Sequence, residues 1–401
     1  MNDNLRLGSV RGVRIGVHWS VLVIGWLLAW SLASRILPAA APGATGPAYW
    51  VTGIGVALLF FGSLLAHELA HAVLARRAGV RVEGITLWLL GGVARLDGEA
   101  PTPGHELRIA AAGPATSALL GIGFGIAGAG LAAAGAPALI REAAGYLAGV
   151  NLILAVFNLL PGAPLDGGRI VRAVAWRLGR DRLSASLLAA RLGRLLGFGM
   201  IAFGLFELLV GADLGGLWTI VLGLFLSSVA SAEAGQEMAR AALTGVRVRD
   251  AMTTDLPRVP GGITIDVFTE GVLVAQGRTA ALVTEADGEP VAVAGLGEVT
   301  ALRRGAWRDA RVRDIAIPLA GLPQVGADEL LLAALERVGA GAAAAGVSLG
   351  GYLLVTHEKR SVGLVTPDGL ARTLATRSLL AGGAGTGVGA GRKHAPGRPA
   401  D

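Results

Sequence analysis

The sequence predicts a polytopic α-helical membrane protein with about six transmembrane helices, followed by a cytoplasmic α+β domain. Two observations predict this fold class. Up to residue 235 the chain carries long apolar runs, and beyond it charged residues return and short motifs repeat. The composition agrees, because 53% of the 401 residues are hydrophobic and only 16% are charged, whereas soluble proteins contain about 25% charged residues.

The composition also excludes several classes of protein. The chain has no cysteine, so a disulfide scaffold and a cysteine-ligated zinc or iron–sulfur site are excluded. Its high apolar content excludes an intrinsically disordered chain. The formal net charge is +6. In a membrane protein an excess of arginine indicates which loops stay in the cytoplasm, and no nucleic-acid partner is expected.

The apolar runs match the length of a membrane span, which takes about 20 helical residues. The fifth run is the weakest because Glu207 interrupts it, and a cleaved signal peptide is the alternative for the first. Arginine-rich loops alternate with loops of almost no charge, and this pattern places both termini on the cytoplasmic side of the cell membrane. The runs cover residues 17–37, 49–66, 109–140, 143–165, 195–210 and 214–232.

Two copies of one unit follow the membrane part. The motif VRD at 248–250 recurs at 312–314, and the pair LP at 256–257 recurs at 322–323. A repeat at this period favours two small domains over one large domain. The last stretch is rich in glycine and alanine, and we expect it to be disordered. The predicted division is a membrane domain at 1–235, repeats at 246–310 and 311–378, and a tail at 381–401.

The segment at 60–77, FFGSLLAHELAHAVLARR, carries the chemistry. His67 and His71 are four residues apart, so a helix places both imidazoles on one face, where they can bind one metal ion. Glu68 is placed to take a proton from water without being a ligand. This HExxH arrangement is typical of zinc peptidases. Ionisable groups at membrane depth cost about 2.5–3.5 kcal/mol each, and a bound metal ion would explain why three occur together.

A third metal ligand is needed, because a catalytic zinc ion takes three protein ligands and keeps one position open. Asp166, in the string FNLLPGAPLDGGR at 157–169, is the best candidate. It ends the fourth apolar run on the same side of the membrane as the two histidines. The alternative is that Asp166 caps a helix or lies in a turn before Gly167-Gly168.

These motifs together resemble the site-2 protease family of intramembrane metalloproteases, peptidase family M50. The resemblance covers about residues 10–232 and rests on HELAH, a later glycine pair and the string NLLPxxxLDG. It implies that one Zn²⁺ ion is bound by three ligands and that Glu68 is the general base. The implied ligands are His67, His71 and Asp166.

The resemblance also implies residues that contact the substrate. Asn158 matches an asparagine that contacts the substrate near the scissile bond, although an interhelical hydrogen bond is the alternative. Gly91 and Gly92 match a membrane-dipping hairpin, whose edge could pair with an extended substrate. The motif AGP at 112–114 also resembles a family signature, with close packing of helices through small residues as the alternative.

The repeats after the membrane domain resemble CBS domains, over about residues 246–375. Adenine nucleotides bind between CBS repeats, but the family pattern that holds the ribose is broken here. Glu298 stands where threonine is expected, and Asp368 comes one position early. The sequence therefore assigns no nucleotide-binding residue, and a structural role or a homodimer contact is at least as well supported as sensing a nucleotide.

The resemblance implies an intramembrane zinc endopeptidase that cuts transmembrane segments of membrane-bound regulatory proteins. Its partners would be a single-span membrane protein as substrate and the lipid bilayer, and the CBS pair could regulate it. The alternatives are a CBS-regulated metal transporter and a non-catalytic membrane scaffold. A transporter should have repeated, broken helices with polar groups along several spans, and an inactive scaffold is expected to lack Glu68. The sequence shows no such repeat of broken helices, and it contains Glu68.

Overall fold

Six helices in the described part of the chain are long and apolar enough to cross a membrane, which confirms the predicted membrane fold. The computed structural model describes residues 5–10, 13–88, 91–211, 215–285, 287–345, 351–358 and 360–383. It divides into two compact units, Met1–Glu237 and Met238–Asp401. The spans are Ser20–Ala40, Gly46–Arg77, Pro103–Ala133, Ala138–Asn158, Arg182–Gly211 and Gly215–Leu243.

The first span contains α1 (Ser20–Ser31), a π-helical turn and α2 (Leu37–Ala40). The other spans are α3, α4, α5, α7 and α8 in chain order, and α6 (Asp166–Arg177) is a short helix between α5 and α7. α3 continues beyond its apolar run to Arg77, so the HExxH motif lies on a spanning helix.

Two predicted runs extend past the end of a helix in the structure. The third run contains the boundary between two helices, since α4 ends at Ala133 and α5 begins at Ala138, directly after Pro137. The fourth run was predicted to reach residue 165, but α5 ends at Asn158. Pro161 follows two residues after the C-cap Leu159, and proline cannot continue a helix.

A four-stranded sheet packs on α3, and only its hairpin was expected from the sequence. Its strands, in spatial order, are β1 (Leu5–Val10), β2 (Val13–Val17), β3 (Arg81–Trp88) and β4 (Gly91–Asp97). β2 and β3 are parallel, and the outer pairs are antiparallel. Apolar residues on alternating strand positions form a buried cluster with α3, which includes Val13, Val17, Ile85, Leu87, Leu64 and Ala72.

α7 and α8 form a close helical hairpin. A Cβ at Gly197 would lie 2.7 Å from the carbonyl oxygen of Gly223, and a Cβ at Gly204 would lie 2.5 Å from that of Gly216. Glycine at these positions lets the two backbones approach each other, as small residues do in membrane helix pairs. The Glu207 carboxylate accepts a hydrogen bond from Thr219 at 3.0 Å.

The second unit contains two halves, each with its own sheet. Each half has a parallel pair of strands to which a further strand adds in antiparallel orientation. This shared topology agrees with the two α+β repeats expected from the sequence. The first sheet has β5 (Arg258–Pro260), β6 (Ala280–Thr284), β7 (Pro290–Gly295) and β8 (Ile317–Pro318); the second has β9 (Gln324–Gly326), β10 (Leu353–His357) and β11 (Arg360–Val365).

The repeated VRD motif opens a short helix in each half. The Asp250 carboxylate accepts a hydrogen bond from the backbone N–H of Arg247 at 3.0 Å, and Asp314 accepts one from Arg311 at 2.8 Å. Each aspartate therefore satisfies a backbone donor at a helix start. The helices of this unit are α9 (Val248–Ala251), α10 (Ile265–Phe268), α11 (Leu296–Ala301), α12 (Val312–Ile315), α13 (Leu331–Ala345) and α14 (Pro367–Gly383).

The predicted tail at 381–401 falls almost entirely outside the described residues. α14 extends to Gly383, so the first three residues of that stretch are helical rather than disordered. Residues 384–401 are not among those that the structure describes.

Candidate metal centre

α3 places the two histidines of the HExxH motif one turn apart on its buried face. His67 and His71 are 3% and 5% exposed. Their Nε2 atoms lie 3.2 Å apart. The four-residue spacing on the helix therefore brings the two imidazole nitrogens together at one point.

Asp166 completes this arrangement from α6. Its Oδ2 lies 3.2 Å from Nε2 of His67 and 3.2 Å from Nε2 of His71. The three atoms form an equilateral triangle. Zn²⁺ bound tetrahedrally at 2.0–2.1 Å separates its ligands by about 3.3 Å, so the triangle has the size of one face of a zinc tetrahedron. Leu165, and not Asp166, is the N-cap residue of α6.

The start of α6 is held by close backbone contacts. A Cβ at Gly167 would lie 2.5 Å from the carbonyl oxygen of Leu159, and a Cβ at Gly168 would lie 2.5 Å from the carbonyl carbon of Gly162. The two glycines after Asp166 therefore let the loop that follows α5 pack directly on the first turn of α6. This contact explains why the aspartate is followed by a glycine pair.

Each histidine has a second partner on α4. Nδ1 of His71 lies 2.7 Å from the carbonyl oxygen of Ile109, and Nδ1 of His67 lies 2.9 Å from the Ser117 hydroxyl. A carbonyl oxygen can only accept, so Nδ1 of His71 donates. In a neutral imidazole, Nε2 then keeps its lone pair. Such partners fix the orientation and tautomer of histidines that bind a metal ion.

Gly113 of α4 lies directly against the two histidines. A Cβ at this position would overlap Nε2 of both His67 and His71. Glycine therefore leaves open the space in which an ion would be coordinated. Together with the triangle and the partners on Nδ1, this shows that the donor set fits a zinc ion. Within the AGP motif at 112–114, Gly113 therefore lies at the candidate site.

The other residues predicted for the site are a glutamate on α3, two glycines in β4 and an asparagine at the end of α5. Glu68 follows His67, and a Cβ at Gly92 would lie 3.0 Å from its Oε1. Gly91, with a φ of 136°, starts β4 opposite Trp88. The Asn158 amide donates to the carbonyl of Leu154 at 3.0 Å, within its own helix. This bond uses one N–H of the amide and does not decide between substrate contact and an interhelical bond for Asn158.

Sequence reasoning missed the partners of the histidines. Ile109 acts through a backbone carbonyl, which leaves no trace in the sequence. Ser117 is 50 residues from His67, and one serine in an apolar helix is not a distinctive pattern. Its burial, at 0% exposed, becomes visible only once α3 and α4 are packed.

Comparisons with known proteins also point to a zinc metalloprotease. A model of peptidase family M50 matches residues 55–135 and 130–200. Rip3 of Mycobacterium tuberculosis, which is named as a zinc metalloprotease, is 43% identical over 374 residues, or 93% of either chain. The chain belongs to peptidase family M50. This membership confirms the predicted metalloprotease and its place in the membrane as a multi-pass protein.

Two solved structures are also similar to this M50 protein. The site-2 protease from Methanocaldococcus jannaschii shares 29% identity and covers 57% of this chain and 94% of its own, with a TM-score of 0.38. A CBS-domain-containing protein from Agrobacterium tumefaciens shares 15% identity and covers 32% of this chain and 92% of its own, with a TM-score of 0.25.

Proposed function

We propose that this M50 protein is a zinc endopeptidase that cuts the transmembrane segments of membrane-bound regulatory proteins. The observation that carries the proposal is the triangle of His67 Nε2, His71 Nε2 and Asp166 Oδ2, with 3.2 Å sides. Its two histidines and Glu68 lie on the spanning helix α3, and Asp166 lies on the short helix α6. The name of Rip3 specifies zinc, which supports one Zn²⁺ ion per chain.

The three ligands and Glu68 have separate tasks. His67, His71 and Asp166 hold the ion, which when bound makes water more acidic and polarises the scissile carbonyl. Glu68 accepts the proton of the attacking water at a carboxylate oxygen. It then gives this proton to the nitrogen of the leaving amine, which restores its charge. Glu68 contributes no atom to the ligand triangle, so its carboxylate is free for both transfers.

The substrate is a membrane helix that must unwind locally, because its carbonyls are otherwise in internal hydrogen bonds. Among the described strands, β4 pairs only with β3, so its other edge is open to an extended segment. Gly91 and Gly92 begin this edge, and Gly92 lies against Glu68. A substrate strand added there would lie beside the general base. Asn158 would contact the same segment from the end of α5.

The orientation that we propose places both termini in the cytoplasm. α3 ends with Arg76 and Arg77, and α6 carries three arginines after Asp166. Arginine-rich ends stay in the cytoplasm. The ligands therefore lie near the cytoplasmic face, from which water reaches them.

The second unit is a CBS pair with a structural or dimerising role in this proposal. The Tyr352 hydroxyl donates to Glu298 Oε2 at 3.1 Å, and the backbone N–H of Gly295 donates to the same oxygen at 2.9 Å. Burial, together with Glu298, raises the pKa of Tyr352 well above its usual value, so the phenol remains a donor. The side chains of Tyr352 and Glu298 therefore fill the space at the end of β7. We expect millimolar AMP or ATP to leave the unfolding temperature of the chain unchanged.

The test compares the wild type with Glu68→Gln and with Glu142→Gln, a matched change at an exposed glutamate of α5. Each protein is purified in detergent, its zinc content is measured, and it is incubated with single-span membrane substrates with and without a chelator. We expect all three to bind about one zinc ion. Wild type and Glu142→Gln should cut, and Glu68→Gln should not.

Three outcomes would contradict the proposal. Absence of zinc from the wild type would exclude the metal centre. Cleavage by Glu68→Gln at the wild-type rate would exclude its role as the base. Zinc transport into vesicles without cleavage of any substrate would favour the transporter instead.

A further inference from the structure

A buried ionic cluster joins the beginning of α4 to α6. Glu106 is 1% exposed. Its Oε1 accepts hydrogen bonds from Nε of Arg172 at 3.1 Å and from Nη2 of the same guanidinium. Nε of Arg169 lies 3.8 Å from Oε1, and Nη2 of Arg182 lies 4.0 Å from Oε2. Three cations therefore surround one buried carboxylate.

The helix face that carries Glu106 is also the face that contacts the metal centre. Gly113 and Ser117 follow Glu106 by 7 and 11 residues, so the three lie on one side of α4. Gly113 lies against both histidines, and Ser117 bonds to His67. One side of α4 therefore contacts α6 near the N-terminus of α4, and it contacts the histidines further along the same helix.

Arg172 lies on the helix that supplies the third ligand. Six residues separate it from Asp166, which corresponds to about 9 Å along α6. The glycine contacts at the start of α6 fix where the helix begins, but they act at one end only. The two donors of Arg172 on one oxygen fix the direction in which the helix points. Nη1 of Arg172 also lies 3.7 Å from Glu237 of α8.

A buried ion pair is weak evidence for stability, because desolvating both charges can exceed their attraction. A role in geometry explains this pair better. Ligand distances in a metal site must hold to about 0.2 Å, and Asp166 reaches the histidines from a short helix that begins with the ligand itself.

We propose that Glu106 and Arg172 are positioning residues, whose buried ion pair orients α6 so that Asp166 Oδ2 reaches both histidine nitrogens. This inference rests on the proposed function, since it takes the triangle as the zinc site. Neither residue touches the ion or the substrate. Their effect on catalysis therefore passes through the position of Asp166.

The test uses Glu106→Gln, Arg172→Lys and the control Glu142→Gln. Glu142 is an exposed glutamate of α5 and is not one of the residues of the ionic cluster. Zinc affinity is measured by competition with a chromophoric chelator, and ligand geometry by the visible absorption spectrum of the Co²⁺-exchanged protein. Circular dichroism of the metal-free proteins reports the fold. We expect both cluster variants to remain helical, to lose zinc affinity by about tenfold or more, and to change the Co²⁺ spectrum.

Arg172→Lys keeps the charge but cannot make two directed bonds, so it separates orientation from charge balance. A folded Arg172→Lys with wild-type zinc affinity and Co²⁺ spectrum would overturn the inference, whether or not Glu106→Gln folds. An equal loss in Glu142→Gln would also overturn it. If the wild type itself binds no zinc, the proposed function fails instead, and the two failures are thereby distinguished.

The double variant Glu106→Gln/Arg172→Lys adds a second criterion. If both residues act through their pair, the double variant should lose no more zinc affinity than the worse single variant. Additive losses would mean that the two residues act separately, which contradicts the proposal.

Discussion

The two units of this M50 protein bury different kinds of side chain. Of the ten buried polar or charged residues in the described part of the chain, nine belong to the first unit and only Thr366 to the second. In the first unit His67, His71, Glu106 and Ser117 are at most 5% exposed, and all four belong to the metal centre or to its support.

The second unit has the opposite arrangement. Its core is apolar, with Ile265 and Phe268 fully buried in one half and Leu331 in the other. Its charges form exposed pairs, such as Arg249 with Asp328, each about half exposed. Water can hydrate charges at such a surface, whereas a buried or membrane-embedded group must find its partner within the protein. Changes to polar groups should therefore disturb chemistry in the first unit, and changes to apolar groups should disturb stability in the second.

Gly113→Ala should have the largest effect. The new Cβ would overlap Nε2 of both ligand histidines, whereas alanine is a better helix former than glycine. We expect the helical content to stay and zinc binding to be lost, measured by circular dichroism and metal analysis. Gly123→Ala on the same helix, where a Cβ would meet nothing within 4 Å, should bind zinc normally. Normal zinc binding by Gly113→Ala would contradict the geometry of the site.

Phe268→Ala should strongly destabilise the second unit. Phe268 is 0% exposed, and removing a buried phenyl ring costs about 3–5 kcal/mol. We expect the midpoint of chemical unfolding of this unit to fall while the zinc affinity of the first unit is unchanged. Val267→Ala, at a neighbouring position that is 55% exposed, should change little. If Phe268→Ala also lowered the zinc affinity of the first unit, the expected separation between stability in the second unit and chemistry in the first would be wrong.

Ser117→Ala should weaken zinc binding moderately. It removes the hydroxyl that lies 2.9 Å from Nδ1 of His67, and loss of such a partner lowers metal affinity by about 10–100-fold. Chelator competition measures this loss. Ser63→Ala is the matched control, because the buried Ser63 hydroxyl donates to the carbonyl of Leu59 in its own helix. Equal effects of the two changes would show that the contact with His67 has no special role.

Arg278→Ala should have the smallest effect. Arg278 pairs with Asp255 at 2.9 Å, but the two side chains are 41% and 88% exposed. Exposed pairs contribute about 1 kcal/mol or less. We expect the unfolding free energy of the second unit to change by no more than this, and a larger loss would mean that exposed charges matter there as buried ones do in the first unit.

Local patterns in the sequence predicted much of this protein. The six spans follow from runs of apolar residues, and the histidine pair follows from a four-residue spacing on a helix. The paired aspartates Asp250 and Asp314 mark the repeat because each begins the same short helix. All these features depend on neighbours within a few residues, where chain geometry alone determines which groups meet.

Contacts between distant segments needed the tertiary structure. β2 pairs with β3 between residues such as Arg14 and Gly84 that are far apart in the sequence, and neither strand differs enough from its surroundings to predict that pairing. Glu106 lies 66 residues from Arg172, and an acidic residue in the first turn of a helix is usual on electrostatic grounds alone. Its burial among three arginines therefore became apparent only from the packing of α4, α6 and α7.

The sequence by itself determined which residues we propose for the chemistry: two histidines at helical spacing, a glutamate between them and an aspartate before a glycine pair. Only the tertiary structure decided that Asp166 lies 3.2 Å from His67 across 99 residues of chain, and that α4 supplies Gly113, Ser117 and Ile109 to the same point. The physical reason is that residue type and spacing determine what a segment can do, whereas side-chain packing between helices determines which segments meet.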